Sequence, residues 1–133
     1  MKRFSFKKNK RLLSNRQFKA ILAGGLRSSD DLLVLYICEN DCGYPRLGIS
    51  VGKPHGNAVV RNRLKRLLRE AFRQNQHDIP ANFDYLLMIS TQCSQTSGKV
   101  HASREALKYI TLSQIKASFL TLVKNAVRKA KPN

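Results

Sequence analysis

Between Val60 and Phe72 the apolar residues Val60, Leu64, Leu67, Leu68, Ala71 and Phe72 recur at i, i+4, i+7, i+8, i+11 and i+12. At roughly 100° per residue this spacing puts all six on one side of a helix. The run from Gly56 to Arg73, GNAVVRNRLKRLLREAFR, therefore predicts a single amphipathic helix whose apolar stripe seats on a core. Asn57 has the side chain of an N-cap, and Gly56 before it allows a close backbone approach to a ligand.

Other segments follow from the same kind of pattern. Ser14 and Gln17 make a capping box, with Leu13 and Phe18 at its hydrophobic staple positions, so a helix starts at Asn15 and ends at Gly24 and Gly25. A β-rich run from Leu32 to Cys38, a turn from Asp41 to Pro45 and an alternating run from Arg46 to Val51 predict two strands paired as a hairpin. Leu26 to Ser29 is a short extended piece at the sheet edge, and Asp84 to Ser90 a buried strand. After a polar loop, Ala102 to Tyr109 reads as a short helix. Thr111 and Gln114 form a second capping box, stapled by Ile110 and Ile115, for a last amphipathic helix from Leu112 to about Arg128. The order α-β-β-β-α-β-α predicts an α/β (α+β) two-layer sandwich around one sheet. We expect one domain over 1–133, with a basic arm at 1–12 and a frayed basic tail at 129–133. The sheet face beneath the first helix is where aromatic residues are left open to a single strand.

Charge changes the picture. Lys and Arg number 25 against 8 acids, for a formal charge of +17. Opposite the apolar stripe, Asn62, Lys65, Arg66, Arg69 and Arg73 crowd together, Arg61 and Arg63 flank the seam, and Glu70 alone offsets them. Cations at i and i+4 repel by a few tenths of a kcal/mol. A merely solvated face intersperses Glu with Lys, whereas this one is built from Arg, which forks onto phosphate oxygens. The face predicts a nucleic-acid partner. A membrane partner is not expected, because the helix's apolar side is committed to the core and no apolar run approaches the ~20 residues of a membrane span.

Cys38, Cys42 and Cys93 form no CxxC pair and are odd in number, which points to a reducing, cytoplasmic setting rather than a disulfide framework or zinc site. His55, His77 and His101 are scattered and read as surface or loop histidines. Among the acids only Asp30 and Asp31 are adjacent, in a turn, so no catalytic residue of the protein's own is expected.

The stretch GNAVVRNRLKRLLREAFR, preceded by RLGISVGK and by SNRQFKAIL, resembles the protein subunit of bacterial ribonuclease P, in register from about Leu12 to Ile89 and again over the last helix. The resemblance implies a mixed sheet with a left-handed β-α-β crossover, against the usual handedness. It implies an assisting role in removing the 5′ leader of precursor tRNA, with the chemistry carried by a catalytic RNA subunit and magnesium ions held mainly by that RNA. No obligate protein partner is implied. Carried over by position, Lys53, Gly56, Asn57, Arg61, Asn62, Arg63, Lys65, Arg66 and Arg69 dock on the catalytic RNA, and Phe18 and Tyr36 line a cleft for the single-stranded leader. Two departures stand out: Leu22 replaces a second aromatic one turn after Phe18, and Lys53, Pro54 and His55 replace paired lysines before GNAV. A polar insert around 94–108 lengthens the connection to the last helix. A ribosomal or other structural RNA-binding protein shares the size and charge, and the RNR triplet Arg61, Asn62, Arg63 decides against it.

Overall fold

The computed structural model describes residues 15–40, 43–90 and 109–130. The expected arm, the Ser14 cap with Leu13, Asp41 and Cys42 of the expected turn, Cys93, His101, the insert, all but Tyr109 of the helix expected at 102–109, and the last three residues lie outside these.

Seven elements follow in the expected order. They are α1 (Asn15–Gly24), β1 (Leu26–Ser29), β2 (Leu33–Glu39), β3 (Arg46–Ser50), α2 (Ala58–Asn75), β4 (Phe83–Ile89) and α3 (Leu112–Ala130). A 3-10 turn at Lys53–His55 leads into α2. The final helix runs two residues past the expected Arg128 because its apolar face, through Val127 and Ala130, still packs on the core.

The strands form one mixed sheet in the order β1-β2-β4-β3. This corrects the expected hairpin of β2 with β3. β4 lies between them, antiparallel to β2 and parallel to β3, so β3-α2-β4 is a crossover unit. The reason is burial: FDYLLMI is apolar on both faces and all but one of its residues are buried, so it gains most at the centre of the sheet. The tight hairpin is instead β1–β2. Asp30 closes it, its carboxylate accepting the amides of Leu32 and Leu33 at 2.8 Å each while its own N–H donates to Leu33 O.

Strand alternation separates two faces. On one, Leu33, Leu35, Ile37, Leu47, Tyr85 and Leu87 meet Leu64, Leu68, Phe72, Ile115, Phe119 and Leu122 of α2 and α3. Phe72, Tyr85 and Phe119 stack mutually with ring centroids 6.0–6.3 Å apart. The buried Tyr85 hydroxyl donates to Pro80 O at 2.6 Å, and burial pushes its pKa up. The second capping box is realised: Thr111 N donates to Gln114 Oε1 at 2.8 Å, Gln114 N donates to Thr111 Oγ1, and the staple residues Ile110 and Ile115 are buried.

On the other face lies α1, packed on β2 and β4. Ile21 and Leu86 form a small buried cluster there, edged by half-buried Phe18, Tyr36, Cys38 and Met88. Helix α1 stops where Gly25 N donates to Ile21 O at 2.7 Å. A Cβ on Gly25 would stand 2.6 Å from Ile21 O and 2.8 Å from Ile37 O, so the chain passes from α1 into β1 only with glycine.

Candidate nucleic-acid interface

Helix α2 carries most of the candidate residues, and its entry is built with care. Asn57 Oδ1 accepts Val60 N at 3.0 Å, the expected N-cap. Gly56 has φ of 139° and ψ of −176°, a conformation open in practice only to glycine. A Cβ there would meet Val60 Cβ at 2.9 Å. Glycine there lets the chain turn from the 3-10 segment into α2. Lys53 and Asn57 stand exposed beside it. His55 lies in the connecting segment, as a loop histidine, but is buried rather than at the surface, while His77 is exposed.

The apolar stripe behaves as predicted: Leu64, Leu68, Ala71 and Phe72 are buried, with Val60 and Leu67 packed at their margin. The cations divide into two groups. Asn62, Arg66 and Arg69 are exposed and Lys65 half-exposed, forming a face with no carboxylate of its own. Arg61 and Arg63 are tied to the fold. Arg61 Nε donates to Gly56 O at 3.1 Å, and Arg63 Nη2 donates to Ile110 O at 2.7 Å, bracing α2 against the start of α3. The sequence pattern places these two at the seam but gives no sign of a carbonyl 47 residues away.

The single acid of the helix is already engaged. Glu70 pairs with Arg73 (Nε to Oε1, 2.9 Å) and accepts Gln74 Nε2, which together hold its carboxyl down to about 2. Gln74 in turn accepts Lys116 Nζ from α3 at 2.9 Å. Arg73, grouped with the cationic face by periodicity, is therefore neutralised where it stands. Arg61, Arg63, Lys65, Arg66 and Arg69 keep charge that no carboxylate of the helix offsets, and of these Lys65, Arg66 and Arg69 lie away from the bonds that tie Arg61 and Arg63 to the fold.

The sheet's far face brings Phe18 and Tyr36 onto one cluster, one from the helix and one from the strand, each half-buried. Leu22, one turn beyond Phe18, is 46% exposed and extends that margin with an aliphatic surface. Also on this face, Arg46 grips buried Asp84 bidentately, Nε to Oδ1 and Nη2 to Oδ2 at 2.7 Å each, and Asn40 Nδ2 donates to the same carboxylate at 2.8 Å. Nothing in the sequence pattern pairs these residues, yet Arg46 offsets the charge of Asp84 beside the cleft. Among the described residues no three His, Cys, Asp or Glu side chains gather as a metal site, and no helix is long and apolar enough to cross a membrane.

Comparison with known proteins places the fold and the family. The family model described as Ribonuclease P matches residues 6–111. The chain is similar to the ribonuclease P protein component of Syntrophus aciditrophicus, 41% identical over 94 residues that cover 71% of this chain and 79% of that one. It is 34% identical to that of Petrotoga mobilis over 120 residues, 90% and 93% of the two chains. Among solved structures, the RNase P protein of Thermotoga maritima in complex with 1-(4-fluorophenyl)-2-thiourea superposes with a TM-score of 0.73 at 30% identity, covering 86% of this chain and 97% of that one. A Staphylococcus aureus RNase P protein mutant with defective mRNA degradation activity gives 0.71 at 30% identity, covering 90% of each.

Proposed function

The chain belongs to the ribonuclease P protein family, the protein component of an endoribonuclease of tRNA processing, and from that premise we propose which surfaces it uses and for what. The outer face of α2 docks on the catalytic RNA, while the cleft between α1 and the sheet holds the single-stranded 5′ leader of precursor tRNA. The observation that carries the first part is the division of the helix's charge: Lys65, Arg66 and Arg69 have no acid to answer them, because Glu70 is held by Arg73 and Gln74. Like charge packed on a rigid helix is relieved by a polyanion, and Arg presents its fork to phosphate. Lys53, Asn57 and Asn62 border the same face, Gly56 sets the entry angle, and Arg61 and Arg63 flank it while bracing the fold.

The second part rests on Phe18 and Tyr36. Each packs on Ile21 and Leu86 with one side and is open on the other, the arrangement of a stacking platform. A base stacked on such a ring contributes ~1 to 3 kcal/mol with no demand on its identity. Arg46 removes the repulsion Asp84 would otherwise exert on a passing phosphate.

Bond cleavage belongs on this reading to the RNA. Among the described residues no three His, Cys, Asp or Glu side chains gather to hold magnesium, and Asp84, Glu70 and Asp30 have their oxygens taken by Arg46 and Asn40, by Arg73 and Gln74, and by the β1–β2 turn. The ions are those of the RNA, and the protein's residues bind and orient. The test is reconstitution with precursor tRNA. RNA-free protein with magnesium is expected to cleave nothing, the catalytic RNA alone to cleave weakly at physiological salt, and the mixture to cleave fast at the 5′ junction. Site-specific cleavage by RNA-free protein would overturn the assignment.

A further inference from the structure

A second cationic feature lies at the opposite edge of the sheet from β3. There β1 and the last turns of α3 enclose an open cavity of about 400 Å³ lined by Arg27, Ser28, Ser29, Asn125, Arg128 and Lys129. Three of these are cations and none is an acid. The nearest carboxylate in sequence, Asp30, is occupied by the amides of Leu32 and Leu33 and by Ser118 Oγ. Lys129 Nζ donates to Arg27 O at 2.6 Å, which fixes the end of α3 against β1.

The ladder connects this cavity to the leader face. Arg27 stands directly opposite Tyr36 in the antiparallel β1–β2 pair, and such partners project to the same side about 5 Å apart. The exposed Arg27 side chain thus rises beside the Tyr36 ring, while its backbone borders the cavity. A strand leaving Tyr36 outward across β1 meets Arg27 first and Arg128 and Lys129 next.

We propose that Arg27, Arg128 and Lys129 form a phosphate-binding ledge that takes the distal backbone of the precursor-tRNA leader, the part that has passed the Tyr36 platform. The occupant is single-stranded RNA on grounds of charge and connection: the ledge is uniformly cationic, lined by hydroxyls and an amide that donate to phosphate oxygens, and joined to a stacking residue by the strand register. The proposal rests on the leader reading above and adds to it an exit path on the far side of the molecule from α2. Cations in a helix's last turn also answer its dipole, but that accounts for Arg128 and Lys129 alone and not for Arg27 on another element.

The test uses the reconstituted holoenzyme, precursor tRNAs whose leaders are lengthened one nucleotide at a time, and mature tRNA. The variants are Arg27→Ala, Arg27→Lys and the double change Arg128→Ala with Lys129→Ala. With long leaders the double variant is expected to bind roughly tenfold more weakly, and its log–log salt slope to fall by ~0.7 per lost phosphate contact. Leaders too short to pass Tyr36, mature tRNA and the catalytic RNA itself should bind unchanged. Arg27→Ala should follow the same length dependence, and Arg27→Lys should restore most of the loss. Unchanged affinity at every leader length, or an equal loss for mature tRNA or the catalytic RNA, overturns the ledge. Tyr36→Ala in the same series separates the two claims: if it weakens leader binding while the ledge variants do not, the ledge alone fails; if it too ignores the leader, the cleft reading fails with it.

Discussion

The two faces of the sheet are made by alternate residues of the same strands, and they are finished differently. Under α2 and α3, every large apolar side chain of β2 and β4 is covered and three aromatic rings interlock. Under α1, the buried cluster shrinks to Ile21 and Leu86, and Phe18, Tyr36 and Met88 remain part-open around them. One helix of ten residues cannot cover four strands. Stability is thus concentrated on one face, and the other is free to present aromatic surface to a ligand. The same division runs through α2, whose inner stripe belongs to the closed core and whose outer side carries charge the fold does not use.

The largest expected effect comes from breaking the closed face. Phe72→Ala should destabilise the fold by ~3 to 5 kcal/mol and lower affinity for every RNA together, as read by thermal unfolding alongside binding. Replacing Lys65, Arg66 and Arg69 together by Ala should do the reverse. Affinity for the catalytic RNA should fall by several kcal/mol and its log–log salt slope by ~0.7 to 0.9 per lost contact, with the melting temperature unchanged. Unchanged affinity and slope would make this face only solvated. These three residues divide the two sides of α2 more cleanly than Arg63, whose replacement also removes the bond to Ile110 O.

Smaller effects sharpen the boundary between the sides. Asn57→Ala removes the cap of α2 and should cost ~1 kcal/mol of stability, measurable by denaturant unfolding. Last is the Glu70–Arg73 pair. Glu70's carboxyl titrates at about 2 in the fold, below its ordinary 4.5. Its stabilising contribution is therefore present above about 4.5 and lost as pH falls from there toward about 2. For a solvent-facing pair the contribution is the smallest of the four, read as the difference between this chain and Glu70→Gln in acid titration of stability.

Much of this was legible beforehand where the signal is local. A period of 3.6 sustained across α2, a capping box at Thr111 and an N-cap at Asn57 each depend on neighbours within one or two turns. Strand partners do not. Alternation in Arg46 to Ser50 identifies a strand but leaves its partner open, and the claim of β4 to the central place rests on burial on both faces, a sign present in its unbroken apolar run. The contacts that tune the site span the chain: Arg63 to Ile110, Arg46 to Asp84, Lys129 to Arg27. Each joins elements brought together only by the fold, so the double use of Arg63 and the silencing of Asp84 had no local signature.

The half-open face is the central claim, and Tyr36→Ala tests it most directly through a paired measurement of thermal unfolding and of holoenzyme affinity for precursor tRNA with and without its leader. An open stacking platform predicts a loss of ~1 to 3 kcal/mol confined to the substrate that bears a leader, with mature tRNA bound as before and the melting temperature lowered little. Equal losses for both substrates together with a clearly lowered melting temperature would show that Tyr36 serves the core, and that the two faces do not differ in the way described.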